Sequence, residues 1–173
     1  MGVTAFPIVS GAQVTANGDT TAKHEPGTIM AYRSATDQWA LVEYVQADNN
    51  VITKGSPVMK NLATFKQYSV RLSATTDGGA PPRGVSLATI ASQRYGFVAI
   101  AGYVESAQVS HTTASGEYLI VSASANGQLS PNRASVFNAG TQGDVSGFMV
   151  MAVAHGIVAT DAFGSITLCG VWA

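Results

Sequence analysis

The sequence predicts an all-β protein, an antiparallel β-barrel or sandwich built from two related halves, with an extended N-terminal arm. Three observations support this prediction: a segment that is repeated without a gap, side chains that alternate with a period of two, and weak helical periodicity along the whole chain. A chain of 173 residues with this pattern accommodates about ten short strands in one domain.

The repeated segment spans residues 84–104 and returns 68 positions later as residues 152–172. In each copy an aromatic residue and a glycine open a short apolar run, and a second glycine interrupts the run six positions after the first. This pattern is typical of a tight turn that leads into a strand, with the second glycine at a bulge or a close backbone approach. The structural glycines predicted from the repeat are Gly96, Gly102, Gly164 and Gly170.

A second internal match joins residues 55–58 to residues 116–119, which lie 61 positions later. In both places a polar stretch reaches a glycine and then enters an apolar strand. The two offsets differ by seven residues, and 138–147 is the predicted insertion. We therefore expect a single β domain over residues 28–173, with halves at about 28–104 and 105–173. The loop at 77–82, rich in glycine and proline, is expected to separate the halves.

The first 27 residues are rich in Thr, Ala and Gly and contain one apolar cluster. They predict an extended arm over 1–27 that adds a strand to the sheet edge of a neighbouring subunit; a disordered terminus is the alternative. The residues predicted to anchor the arm to its partner are Phe6, Pro7, Ile8 and Val9.

Strand patterns begin at Thr28. Residues 28–33 and 39–46 both read as strands, and in the second of these apolar side chains fall on both faces. Turn residues follow at 48–50, and Asn126-Gly127 suits a two-residue hairpin turn of type I′.

The composition limits the classes of partner. Only 11% of the residues are charged, the net charge is -1, and the nine Lys and Arg residues are scattered. Nucleic-acid binding is not expected, because neutralising phosphates needs clustered basic residues. No stretch approaches the ~18 apolar residues of a membrane span, so we expect no membrane partner. An uncharged surface of small residues favours close packing against other protein.

Catalytic chemistry is not predicted. No nucleophile, metal-ligand or phosphate-loop motif is present in the sequence, so we expect neither enzyme activity nor a cofactor or metal. An active site assembled between subunits is an alternative, and it would use carboxylates such as Asp77, Asp144 and Asp161. The adjacent His24 and Glu25 point to opposite sides of an extended chain and make a poor ligand pair.

The remaining reactive side chains are interpreted as structural. His111 and His155 are expected to be partly buried and hydrogen-bonded, and Cys169 to be a small buried hydrophobic residue. Among the aromatic residues, Trp39 and Tyr32 are candidates for a sugar-binding platform, with packing in the core or between subunits as the alternative.

The chain resembles the capsid decoration, or cement, proteins of tailed bacteriophages. The resemblance runs from about Pro26 to Ala173 and is strongest over residues 82–104 and 111–131. It is carried by Gly84-Val85, Tyr95-Gly96, Gly102, the run Gly116-Glu117-Tyr118-Leu119, and Gly127. The family has no catalytic residues to transfer, and residues 1–25 are not covered.

This resemblance implies a structural virion protein that binds the outer capsid surface at capsomer junctions and stabilises the shell. It implies the major capsid protein as partner, a homotrimer, and assembly in the cytoplasm of a bacterial host. The absence of disulfides agrees with a reducing compartment. The alternative function is a carbohydrate-binding fibre or adhesin head domain.

Overall fold

The computed structural model describes residues 7–14, 16–61, 68–77, 82–132 and 151–169. These residues form eleven strands in one sheet and two short 3-10 turns, at Gly11–Gln13 and Thr75–Asp77, so the prediction of an all-β protein is confirmed. The strands are β1 Ile8–Ser10, β2 Ile29–Arg33, β3 Trp39–Ala47, β4 Pro57–Lys60, β5 Ser69–Leu72, β6 Gly84–Ser86, β7 Tyr95–Val109, β8 Tyr118–Val121, β9 Leu129–Pro131, β10 Ala152–Ala154 and β11 Ala162–Leu168.

Strand pairing closes into two circuits that share β7. The first circuit runs from β3 to β5, β4, β6 and β7 and returns to β3. The second circuit runs from β7 to β9, β8, β10 and β11 and returns to β7. Strands β2 and β1 continue the sheet outward from β3. The long strand β7 therefore ends one circuit and begins the other.

The two circuits repeat the same pairings in the same order. In each circuit the first strand pairs in parallel with the third along the chain, as β3 with β5 and β7 with β9, and the other pairs are antiparallel. The second and third strands form an antiparallel pair, so the third runs in the direction of the first and closes against it. The prediction of an antiparallel sheet is therefore wrong for these two pairs and for β1–β2, and the sheet is mixed.

The repeat seen in the sequence matches equivalent positions of the two circuits. Strands β6 and β10 lie 68 residues apart, and β4 and β8 lie 61 residues apart. Two isolated bridges, Ile52 with Ile90 and Thr113 with Val158, keep both offsets. Strand β7 runs through the expected boundary at 104/105, so the circuits share a strand there.

The loop at 77–82 has a different place from the one expected. It connects β5 to β6, and both strands belong to the first circuit, so the loop does not separate the halves. The sequence misled here because glycine and proline mark any exposed connection, whereas the real junction between the circuits is a continuous strand. The predicted insertion at 138–147 lies outside the described residues.

Two buried clusters account for the apolar pattern of β3. Val45 and Ala47 belong to a small cluster with residues of β4, β5 and β7. Val42 and Tyr44, on the opposite face, belong to a larger cluster that extends into the second circuit. Both faces of β3 are buried, as alternation along a central strand requires.

A buried ion pair lies on the face of β3 that bears Val45. The Arg83 guanidinium donates from Nε and Nη2 to the two carboxylate oxygens of Glu43, at 2.6 Å each. The Glu43 side chain is 2% exposed and that of Arg83 is 21% exposed. The hydrogen bond from Glu43 is the main cause that raises the pKa of Arg83. Because the pair is bidentate, it fixes the start of β6 against β3.

The chain that precedes β3 packs against this same domain. We call residues 7–14 and 16–33 the cover segment. In it Val9 and Met30 are each 1% exposed and belong to the larger cluster. The described residues include no helix that is long and apolar enough to cross a membrane.

Candidate interaction surfaces

A row of four residues crosses the outer face of the first circuit, and we call it the covered row. Pro57 pairs with Val85, Val85 with Ala99, and Ala99 with Val42. All four residues are buried. Met30 of the cover segment pairs with Val42 at the end of the row, and Met30 and Val9 share one apolar cluster with Val42, Val85 and Ala99. The cover segment therefore shields this row from solvent.

The second circuit carries an equivalent row, which we call the open row. Its residues lie at the same offsets of 61 and 68 and make the corresponding pairs: Tyr118 with Val153, Val153 with Thr167, and Thr167 with Tyr103. None of the four is buried, and Tyr118 is 57% exposed. The described part of the chain places no segment over the open row that corresponds to the cover segment.

Aromatic and polar side chains adjoin the open row. The His155 ring lies 5.5 Å from the ring of Tyr103, and its Nε2 is 2.5 Å from Oγ1 of Thr167. Phe163, which points to the same side of β11 as Thr167, is 55% exposed. These side chains and the open row contain no charged group, and they form an uncharged surface of aromatic rings and hydroxyl groups.

The sequence contained the signal for this surface, although sequence reasoning missed it. Applying the two offsets to Val42, Pro57, Val85 and Ala99 gives the four residues of the open row. The replacement of small apolar residues by Tyr and Thr at three of the four positions is the sign that the second row meets a different environment.

Trp39 and Tyr32, the candidates for a sugar platform, lie in different grooves. Trp39 is 50% exposed and lines a shallow groove of about 280 Å³ with Leu41, Ala101 and other small residues. The Arg33 guanidinium carbon lies 5.8 Å from the Trp39 ring centroid. Tyr32 is half-buried beside Glu105 and Lys54. Burial, and then the charge of Glu105, raise the pKa of Tyr32. The two rings therefore do not form one platform.

The cover segment is fastened to the domain by Asp19. The Tyr44 hydroxyl donates to Oδ2 of Asp19 at 3.0 Å, and the Lys23 ammonium lies 2.7 Å from Oδ1. Burial is the main cause that raises the pKa of Tyr44 to about 12, so this phenol keeps its proton at neutral pH. His24 packs edge-on against Tyr44 with ring centroids 5.2 Å apart, which gives it a packing role in this cluster.

The predicted arm anchors divide between core and surface. Val9 is buried, Ile8 is 63% exposed, and the Pro7 carbonyl accepts a hydrogen bond from the Ala31 amide at 2.9 Å. Phe6 lies outside the described residues. The described strand β1 pairs with β2 of its own chain, while pairing of the arm with a neighbouring subunit stays a prediction.

Close approach requires glycine at three of the four predicted positions. A Cβ on Gly96 would lie 2.7 Å from Cδ1 of Ile90, and a Cβ on Gly164 would collide with Val158 in the equivalent place. Gly102 has φ +89° and would place a Cβ 2.6 Å from the Trp39 carbonyl oxygen. Gly170 lies outside the described residues.

Two of the residues interpreted as buried are exposed. Cys169 follows β11, and because Gly164, Ile166 and Leu168 face the core, the next side chain points outward. His155 is also exposed, although its hydrogen bond was expected. His111 is half-buried, with Nδ1 2.9 Å from the Ser110 hydroxyl, as expected.

The carboxylates named for an intersubunit active site do not come together in the described chain. Asp161 is exposed, Asp144 lies outside the described residues, and Asp77 pairs with Arg71. Among the described residues no group of three or more His, Cys, Asp or Glu side chains could hold a metal ion.

The Arg71–Asp77 pair gives a pH-dependent prediction. Arg71 donates two hydrogen bonds, of 2.7 and 2.8 Å, and these are the main cause that lowers the pKa of Asp77. A lowered pKa stabilises the fold above the unfolded value of about 3.9 and loses this effect as the pH falls. We expect Asp77→Asn to lower the free energy of unfolding by about 1–2 kcal/mol at pH 7. Thermal melts of both proteins between pH 7 and pH 2 should converge at the acid end, and a constant difference would contradict the assignment.

Comparisons with known proteins yield a structural likeness. No protein-family model matches the sequence, and no curated protein matches it. Among solved structures, the chain is similar to the N base of the head fiber protein gp8.5 of bacteriophage phi29. The sequence identity is 11% and the TM-score is 0.50, over 76% of this chain and 97% of that chain. The two proteins share a fold. With so few identical residues, the likeness transfers no residue's role.

Proposed function

We propose that the protein is a structural component of a bacteriophage virion that binds the outer capsid surface at capsomer junctions and stabilises the shell. The observation that supports this most directly is the fold shared with the N base of a phage head fiber protein. The sequence resemblance to phage decoration proteins points independently in the same direction. In this proposal the protein assembles in the host cytoplasm and has no enzymatic activity or cofactor.

The proposed partners are the major capsid protein and two further copies of this chain in a homotrimer. The low charge, with 11% of residues charged, favours these protein partners over nucleic acid or membrane. Several contacts per trimer, repeated over the shell, would give strong attachment from individually weak contacts, because linked contacts raise the effective concentration of each other.

Co-sedimentation with capsid shells tests this function. Shells assembled from the major capsid protein of the same genome, without this protein, are mixed with the purified wild-type chain and pelleted. We expect saturable binding and a higher disruption temperature of the shells in calorimetry, because the bound protein crosslinks neighbouring capsomers. Shells that bind none of the protein, or that bind it without a change in disruption temperature, would contradict the proposal.

A carbohydrate-binding fibre or adhesin head is the second candidate, and the exposed Trp39 ring favours it. The same purified protein applied to a glycan array separates the candidates. If shells are ignored and a glycan is bound, with binding lost in Trp39→Ala, the second candidate replaces the first. Silence on the array removes it.

A further inference from the structure

We propose that the open row, Tyr118, Val153, Thr167 and Tyr103, is the surface through which one copy of this chain binds a second copy. The inference rests on the proposed assembly into a homotrimer, and it names the face that each copy uses. Its argument has three steps: why the row lacks a cover, what its chemistry accepts, and why a second copy fits.

The lack of a cover follows from the shared strand. In the first circuit the chain that leads into the first strand, β3, is the cover segment, and it lies over the covered row. In the second circuit the first strand is β7, and the chain that leads into it includes β6. Strand β6 is already paired with β4 and β7 in the first circuit. The second circuit therefore has no preceding segment available to cover its own row.

The chemistry of the face suits protein. It combines aromatic rings with hydroxyl groups and lacks charged side chains, which is the composition of the centre of a protein interface. Phosphate groups of nucleic acid or lipid would find no cation there.

A second copy meets no electrostatic opposition at this face. The hydroxyl groups of Tyr103, Tyr118 and Thr167 can each donate and accept a hydrogen bond, so identical groups from two copies can satisfy one another. Val153 and Phe163 add apolar area that association would remove from water. A surface whose polar groups both donate and accept is complementary to itself, whereas a charged surface repeated on two copies would repel.

The test measures the mass of the isolated protein by light scattering during gel filtration. We expect wild type to be an oligomer and Tyr118→Lys to be a monomer, because each contact would bury an unpaired ammonium group. Thr167→Lys, on a neighbouring strand of the same row, should act in the same way. Val51→Lys is the matched control, since Val51 is an exposed apolar residue, at 50%, outside the row, and it should keep the mass of wild type.

Circular dichroism and thermal melts establish that each variant is folded, which is expected because Tyr118 is already 57% exposed. A monomeric wild type would overturn the inference, as would folded Tyr118→Lys and Thr167→Lys variants that keep the wild-type mass. Dissociation by Val51→Lys as well would overturn the assignment to this face. Because no shells are present, a failure of self-association and a failure of capsid binding are observed separately.

Discussion

Arg83→Met should lower the free energy of unfolding by about 3–5 kcal/mol, because it leaves the Glu43 carboxylate buried without its partner. Both oxygens of that carboxylate receive hydrogen bonds from Arg83, and the side chain is 2% exposed, so water cannot replace the lost donors without local opening. Urea unfolding at pH 7 measures the change. This is the largest effect of a single substitution that we expect from the described ion pairs.

Two further variants separate the ion pair from simple packing. The double variant Glu43→Leu/Arg83→Met should recover most of the lost stability, because it removes the buried charge as well as its partner. Arg33→Met is the matched control: Arg33 pairs with Asp37 at the surface, where both side chains are more than half exposed, and we expect little change. If Arg83→Met were as mild as Arg33→Met, or if the double variant were the least stable, the buried pair would not have the role described.

Gly102→Val should lower the free energy of unfolding by about 3 kcal/mol, from two causes that add. A left-handed backbone costs a residue with a side chain about 1–2 kcal/mol, and forced overpacking costs about 1–3 kcal/mol. At Gly102, φ is +89°, and a Cβ would lie 2.6 Å from the Trp39 carbonyl oxygen and 2.8 Å from the Ala40 Cα. Backbone atoms of a central strand cannot move aside as the end of a side chain can.

Gly116→Val isolates the two causes. Gly116 has φ +79°, but nothing lies within 4 Å of the position of a Cβ. This variant should show the backbone cost alone, so its melting temperature should fall less than that of Gly102→Val. Equal changes in the two variants would show that the contact with Trp39 and Ala40 does not matter, and an unchanged Gly102→Val would contradict both causes.

The fold class and the repeat could be predicted from the sequence because they depend on local patterns. Period-two alternation over 39–46 reports a strand that is buried on both faces, and glycines at fixed spacing report close contacts that recur. Gly96 against Ile90 and Gly164 against Val158 are the same contact in two places, so the two copies retain the same small residue.

The parts that could not be predicted depend on contacts between distant segments. Alternation does not reveal whether the third strand of a unit returns beside the first, so the parallel pairs were missed. Nor does the composition of residues 7–33 reveal that Val9 and Met30 are buried against Val42 and Val85. Cys169 was misjudged because its neighbours are apolar, whereas its direction depends on where β11 ends.

The sharing of β7 has a consequence for how the molecule comes apart. If each circuit had its own set of strands, either could unfold while the other remained as an intact domain. Here the loss of the first circuit frees one edge of β7 along residues 95–102, and the loss of the second frees an edge along 102–109. Each half therefore loses stability when the other opens, and proteolysis cannot release either half as an intact fragment without cutting a strand that the other requires. The tandem arrangement behaves as one cooperative unit, although its sequence reads as two.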